Sequence, residues 1–116
     1  MNRVLALAVC LTFVSCAARP TIPPKKETLA ECLTRKGVVL YGASWCGPCH
    51  RQLELFGVDA GALTFVDCSP PRGPYKLPEC DRQAVKAYPT WLKPGGERHE
   101  GVMTLAQLSA WSQCPL

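Results

Sequence analysis

Two cysteines separated by Gly-Pro are the residues of this sequence best suited to chemistry. Cys46 and Cys49 follow an apolar run at 38–41 and open a segment, 46–56, with helical spacing. A cysteine at a helix N-terminus lies beside unpaired backbone N–H groups, which favour the thiolate. Cys49, one turn later, is placed to attack a mixed disulfide formed on Cys46 and to resolve it. The spacing therefore predicts dithiol–disulfide exchange, and Pro48 is tolerated in a first helical turn.

Two other uses of this cysteine pair are an inert structural disulfide and half of a zinc site. Zinc requires two or more further ligands at suitable spacing. Cys68 and Cys80 are separated by eleven residues rather than forming a second tight pair, and the two histidines, His50 and His99, lie in no ligand pattern. The sequence therefore favours redox chemistry by the thiols themselves, with no metal and no other cofactor.

The segments that must position these cysteines alternate between helix and strand patterns. Apolar spacing and turn residues predict helices over 27–36, 46–56, 79–87 and 104–111, and strands over 38–41, 63–66, 90–93 and 98–102. A proline-rich loop is expected over 69–78, and Pro94-Gly95-Gly96 predicts a hairpin between the last two strands. This order predicts a single α/β domain whose sheet begins parallel and ends antiparallel.

Composition restricts the class of protein. The chain has 116 residues, of which 47% are hydrophobic and 19% charged, as expected for one globular domain. The formal net charge is +4, without the dense stripe of lysine and arginine that a nucleic-acid binder of this size would carry. Eight cysteines in so short a chain are typical of an oxidising compartment.

The N-terminus has the layout of a bacterial secretory signal over 1–15. Arg3 precedes an apolar stretch, 4–14, that is too short for the roughly 20 residues needed to span a bilayer. The stretch ends in a sequence that resembles a lipobox, which predicts lipidation of Cys16; cleavage after Ala17 or Ala18 is the competing interpretation. We expect a proline-rich tether over 16–27 and a folded domain over 28–116, anchored on the extracytoplasmic side of the cell envelope.

The motif Trp45-Cys46-Gly47-Pro48-Cys49 and the signature Tyr88-Pro89-Thr90 resemble the thioredoxin superfamily. The resemblance implies a thioredoxin fold, a central mixed β-sheet flanked by helices. It implies that Cys46 and Cys49 are the catalytic pair, and that a cis-proline lies beside them. It also implies that Trp45, Tyr88 and Pro89 bind the substrate, a protein thiol or disulfide.

Further segments, at 40–46, 54–57, 67–70, 78–80 and 88–91, resemble the thioredoxin-like domain associated with vitamin K epoxide reductase homologues. That resemblance implies a disulfide between Cys68 and Cys80 and a membrane redox partner linked to quinone. This chain has Gly-Pro between the active cysteines, where those relatives commonly have Pro-His. The Gly-Pro dipeptide is typical of reducing thioredoxins, whereas the partner implies the oxidative direction.

Four other residues receive more specific expectations. With those two pairs formed, Cys32 and Cys114 remain for each other by elimination, although either one could instead relay electrons to a partner. Leu40 stands where thioredoxins carry a buried acid, so the resolving thiol must lose its proton by another route. His50 is a candidate acceptor for that proton, but a solvated position on the helix surface is the simpler interpretation.

The tryptophans are assigned by their positions. Trp45 and Trp91 flank the two signatures and are expected to form an apolar rim around Cys46. Trp111 lies on the apolar face of the last helix and is expected in the hydrophobic core. The sequence thus predicts a monomeric, lipid-anchored thiol–disulfide oxidoreductase, with reduction slightly favoured. The alternatives are an oxidant coupled to a quinone-linked partner and a non-catalytic thioredoxin scaffold that binds a protein.

Overall fold

The computed structural model describes residues 17–73 and 75–116. The predicted signal peptide and the lipidation of Cys16 therefore lie outside the described residues. Residues 17–28 have no regular secondary structure, and the first helix begins directly after them. The boundaries predicted for the signal, the tether and the domain remain predictions.

The fold is a four-stranded mixed sheet with helices packed against it. Its elements are the helix α1 (Leu29–Arg35), the strand β1 (Val39–Gly42), the helix α2 (Gly47–Glu54), a 3-10 helix (Gly57–Ala62), the strand β2 (Phe65–Asp67), the helix α3 (Pro78–Arg82), the strands β3 (Thr90–Leu92) and β4 (Arg98–Glu100), and the helix α4 (Leu105–Ser112). The strand order is β2-β1-β3-β4, with β2 parallel to β1 and the other two pairings antiparallel. The predicted α/β architecture, a central mixed β-sheet flanked by helices, is confirmed.

The two faces of the sheet are distinguished by the alternation of residues along its strands. Leu40 and Trp91 are paired across β1 and β3 and lie in the larger core cluster, with residues of α1 and α4. Tyr41 and Leu92 point to the opposite face and pack in a second cluster that includes Cys80 of α3. Since β1 is central, its alternate residues contribute to both clusters.

Two helices begin with the caps that their sequences encode. Thr28 caps α1 and Thr104 caps α4, and in both the hydroxyl accepts a hydrogen bond from the backbone N–H three residues later. Glu31 and Gln107 complete the two capping boxes by accepting from the threonine N–H groups.

Two segments differ from the helices predicted by the sequence. The segment after α2 tightens into a 3-10 helix, Gly57–Ala62, which the sequence pattern did not indicate. The helix α3 ends at Arg82 rather than Ala87. The Arg98 guanidinium donates hydrogen bonds to the Gln83 and Ala84 carbonyls, and Ala84 has a φ of 52°, so the chain leaves the helix there.

Four cysteines form two disulfides. One joins Cys32 of α1 to Cys114, just beyond α4, with 82 residues of sequence separation. The other joins Cys68 to Cys80 across the proline-rich loop, with a separation of 12. All four cysteines are buried, so both bridges lie inside the fold.

Candidate active site

Cys46 is the N-cap of α2. Its backbone is extended (φ −84°, ψ 114°), and its sulfur accepts a hydrogen bond from the Cys49 backbone N–H at 3.4 Å. Pro48 lies in the first turn, where a missing N–H leaves no intrahelical bond unmade. The Cys46 sulfur is therefore held at a helix N-terminus, where backbone N–H groups stabilise negative charge.

The Cys46 thiol faces the segment that carries the second signature. It donates to the Tyr88 carbonyl at 3.7 Å, and the Tyr88–Pro89 peptide bond is cis. Trp45 is 67% exposed, and its ring lies edge-on to that of Tyr88, with 6.1 Å between the ring centroids. The structure thus brings Trp45, Cys46 and Tyr88 together. The Pro89 ring is buried, so Trp45 and Tyr88 are the two of the three predicted substrate-binding residues that have solvent-exposed surface.

Cys49 is the more deeply enclosed thiol of the pair. Burial raises the pKa of Cys49 to about 12, with a further contribution from its hydrogen bond to Cys46, while the Ala43 backbone opposes the shift. Leu40 is fully buried in the larger core cluster, and its alkyl side chain has no group that could accept a proton. At neutral pH the Cys49 thiol is therefore protonated.

His50 does not face the cysteine pair as a base. It is exposed, and its ring nitrogen Nε2 is hydrogen-bonded to the Ser44 carbonyl. The side chain therefore folds back on the loop before α2, in keeping with the surface position that the sequence favoured.

The expectation that Trp91 belongs to the rim of the site was wrong. Its side chain is fully buried and lies against Phe56, with ring centroids 6.2 Å apart. The cause is the alternation along β3, which turns position 91 towards the helices on the same face as Leu40. Trp111 is half-buried, packs against the core, and has the Lys93 Nζ 4.3 Å from the centroid of its ring.

Gln52 is a structural residue that the sequence analysis missed. It lies on α2 and is completely buried. Its Oε1 accepts from the Trp91 indole N–H at 3.1 Å and from the Met103 backbone N–H at 2.8 Å, and its Nε2 donates to the Met103 carbonyl at 3.0 Å. One side chain therefore fixes the helix of the active cysteines to β3 and to the segment before α4. A glutamine at an interior helical position was the available signal.

The second disulfide is connected to the site through the backbone. The Cys68 N–H donates to the Gly42 carbonyl at 2.8 Å, and the Cys68 carbonyl accepts from the Leu77 N–H at 2.8 Å. The proline-rich loop is thus attached at the end of β1, directly before the residues that lead to Cys46. Burial raises the pKa of the Tyr88 phenol, and Lys76 of this loop opposes that shift.

Within residues 17–73 and 75–116, no group of three or more histidine, cysteine, aspartate and glutamate side chains is arranged to hold a metal ion. None of the helices in the described part of the chain combines the length and apolar character needed to cross a membrane.

The Cys-Gly-Pro-Cys start of α2 thus lies beside the cis Tyr88–Pro89 bond, as the resemblance to thioredoxins implied. The chain is 37% identical over 73 residues to thiol-disulfide oxidoreductase LTO1 of Arabidopsis thaliana. That match covers 60% of this chain but only 19% of the relative's length. Among solved structures, chloroplastic thioredoxin z superposes with a TM-score of 0.46 and 23% identity, over 66% of this chain and 74% of that one. No protein-family model matches the chain.

Proposed function

We propose that this protein is a thiol–disulfide oxidoreductase that exchanges disulfides with protein substrates. In the reducing direction, the Cys46 thiolate attacks one sulfur of a substrate disulfide, and the other substrate sulfur departs as a thiolate. The Cys49 sulfur then attacks the Cys46 sulfur of this mixed disulfide. This step forms the Cys46–Cys49 disulfide and releases the substrate sulfur that Cys46 had attacked. Two electrons and two protons pass to the substrate, and the oxidising direction is the reverse.

One observation carries this proposal: Cys46 and Cys49 are the free thiols among the described residues, and Cys46 faces the Tyr88 carbonyl beside the exposed Trp45. A substrate chain that lies along Tyr88 brings its own sulfur towards Cys46. The relative named a thiol-disulfide oxidoreductase supports the same activity for this chain.

The proton of Cys49 has to leave as its sulfur attacks. Because burial raises the pKa of this thiol to about 12, water at neutral pH is a poor acceptor for it. The attack of Cys46 itself generates a stronger base at the site, the departing substrate thiolate. We propose that this sulfur takes the Cys49 proton, which explains how resolution proceeds with Leu40 in the core and with His50 turned to Ser44.

The test is reduction of insulin by the full chain with a dithiol donor, with Cys46→Ser and Cys49→Ser as matched variants. Cys46→Ser is expected to lose at least about 10³-fold in turnover, because the attacking atom is gone. Cys49→Ser is expected to accumulate a mixed disulfide between Cys46 and substrate, which is visible by mass on a non-reducing gel. A folded wild-type protein without turnover would contradict the proposal and favour the non-catalytic scaffold.

Between the two directions of electron flow, we propose reduction, because Gly-Pro separates the cysteines as in reducing thioredoxins. The measurement is the equilibrium of the Cys46–Cys49 pair with glutathione and dithiothreitol. A potential near about −270 mV is expected for a reductase. A potential at or above about −180 mV would contradict it and favour an oxidant recharged by a quinone-linked partner, the function implied by the likeness to domains associated with vitamin K epoxide reductase.

We propose further that the protein works as a monomer on the extracytoplasmic side of a bacterial membrane, held by a lipid on Cys16, and exchanges electrons with a membrane redox partner. The support is the lipobox-like sequence, the proline-rich tether and the cysteine content. Metabolic labelling with a radioactive fatty acid tests the anchor. Label is expected on the wild-type chain and not on Cys16→Ser, and a Cys16→Ser chain that remains labelled would contradict it.

A further inference from the structure

Gly42 lies where the resolving thiol and the sheet meet. It is the last residue of β1 and is buried. A Cβ atom added at this position would lie 2.9 Å from the Cys49 sulfur and 2.8 Å from Cε2 of Phe65. Carbon and sulfur atoms that are not bonded to each other do not approach so closely, so at least one neighbour would have to move. The bare backbone of Gly42 is therefore one wall of the space that the Cys49 sulfur occupies.

This wall is fixed from the other side of the strand pair. Gly42 pairs with Asp67 in the parallel ladder, and its carbonyl accepts the Cys68 N–H at 2.8 Å. Cys68 is tied to Cys80 by a disulfide, which restrains the position of its N–H. Withdrawal of the strand to accommodate an added methyl group would break this hydrogen bond, so we expect the displacement to fall on the Cys49 sulfur or on the Phe65 ring.

From these contacts we propose that Gly42 is a positioning residue for Cys49: the absence of a side chain there lets the resolving sulfur rest against β1 in the dithiol state. The relevance of this seat to turnover depends on the proposed function. The seat itself is a property of the Cys46–Cys49 couple and is measurable without a protein substrate.

The expected consequence concerns the balance between the dithiol and the disulfide. In the exchange with dithiothreitol, the protein disulfide gains two electrons and two protons, and the reagent closes to its cyclic disulfide. The structure has both thiols free, so a methyl group at position 42 collides with the sulfur as it lies in the dithiol form. Formation of the disulfide draws that sulfur towards Cys46. Gly42→Ala is therefore expected to shift the equilibrium towards the disulfide.

The experiment equilibrates the full chain with graded ratios of reduced and oxidised dithiothreitol, then counts the Cys46 and Cys49 thiols by alkylation and mass. For Gly42→Ala we expect a shift of about tenfold towards the disulfide, which is about 30 mV for a two-electron couple. The matched control is Gly61→Ala, because an added Cβ there meets nothing within 4 Å. That control is expected to leave the equilibrium unchanged.

The two collisions at Gly42 are separated with Phe65→Leu, which removes the ring atoms Cε2 and Cζ that approach position 42. If the Cys49 sulfur is the neighbour that matters, the double variant Gly42→Ala/Phe65→Leu keeps the shift relative to Phe65→Leu alone. This double variant also relieves the crowding that could prevent Gly42→Ala from folding. Loss of the shift in the double variant would assign the effect to Phe65 and overturn the proposal.

The proposal would also be overturned if the dithiothreitol equilibrium of Gly42→Ala equalled that of Gly61→Ala, or if it shifted towards the dithiol. These results are distinct from a failure of the proposed function. A wild-type chain that cannot reduce insulin refutes the activity, whereas the dithiothreitol equilibrium still measures whether Gly42 seats the Cys49 sulfur.

Discussion

The start of α2 and the pair of helices α1 and α4 use cysteine and helix caps in opposite ways. In α1 and α4 the caps are threonine hydroxyls completed by capping boxes, and a disulfide joins Cys32 of one helix to Cys114 beyond the other. In α2 the cap is a cysteine sulfur, and its partner one turn later is a free thiol. In the first region the sulfurs are joined in a disulfide and the helix caps are completed by side-chain hydrogen bonds. In the second region both sulfurs are free thiols, and one of them is itself the cap.

Burial alone does not separate these regions, because Cys32, Cys114 and Cys49 are each no more than 2% exposed. What differs is spacing and surroundings. The joined pair is 82 residues apart and enclosed in the core, whereas Cys46 and Cys49 adjoin an exposed tryptophan at the N-terminus of a helix. We infer that reactivity in this fold is set by the helix start and the access beside Trp45.

The comparison is tested most strongly by the reactivity of Cys49. In Cys46→Ser, iodoacetamide is expected to modify Cys49 at pH 8 at least about 10²-fold more slowly than a free cysteine. Burial is the largest cause of the raised pKa of Cys49, and it remains when the contribution of Cys46 is removed. A raised pKa keeps the thiol protonated until the solution becomes strongly alkaline. The rate should therefore rise about tenfold per pH unit between about pH 8 and 10. Mass spectrometry after timed quenching measures it.

The same variant unfolded in guanidinium chloride is the control, and it should react as an ordinary cysteine. Rapid modification of folded Cys49 at pH 8 would mean that its sulfur is open to solvent, and the contrast between the two thiols of the site would fail.

The next largest effect concerns the other region. Cys32→Ala/Cys114→Ala is expected to lower the free energy of unfolding by about 4.5 kcal/mol, since the bridge closes a loop of 82 residues in the unfolded chain. Cys68→Ala/Cys80→Ala, which opens a loop of 12, should cost about 3 kcal/mol. Urea unfolding measures both. Normal stability combined with lost turnover in the first variant would instead support the alternative that Cys32 or Cys114 relays electrons.

Gln52 connects the two regions, and its removal should cost about 3 kcal/mol. Gln52→Leu leaves the Trp91 indole N–H and the Met103 backbone N–H without their acceptor in the core. The measurement is urea unfolding of Gln52→Leu, Trp91→Phe and the double variant. Because Trp91→Phe removes one of the unpaired donors, the double variant should lose less than the sum of the single ones. Strict additivity would contradict the role of the amide as the acceptor of the indole.

The sequence specified the fold better than it specified the polar contacts within it. The helix start at Thr104, the central strand and the cysteine pair were recognisable because each depends on neighbouring residues. Trp91 was misplaced because its motif was read without the alternation of β3, which decides the face of the sheet. Gln52 and Gly42 depend on contacts with Met103 and Phe65, which only the tertiary structure brings near.

The smallest expected effects come from the caps themselves. Thr104→Ala should lower the free energy of unfolding by about 1 kcal/mol, because the Gln107 N–H loses its acceptor, and Thr104→Ser should retain the wild-type stability.

At the N-cap of α2, substitution of the capping residue is expected to raise stability instead. A serine hydroxyl caps a helix better than a sulfur 3.4 Å from the Cys49 N–H. Cys46→Ser, compared in a Cys49→Ala background where no disulfide can form, should raise stability by about 0.5 kcal/mol. Urea unfolding measures all three, and a loss of stability in Cys46→Ser would mean that the sulfur contributes more to the fold than its cap contact explains.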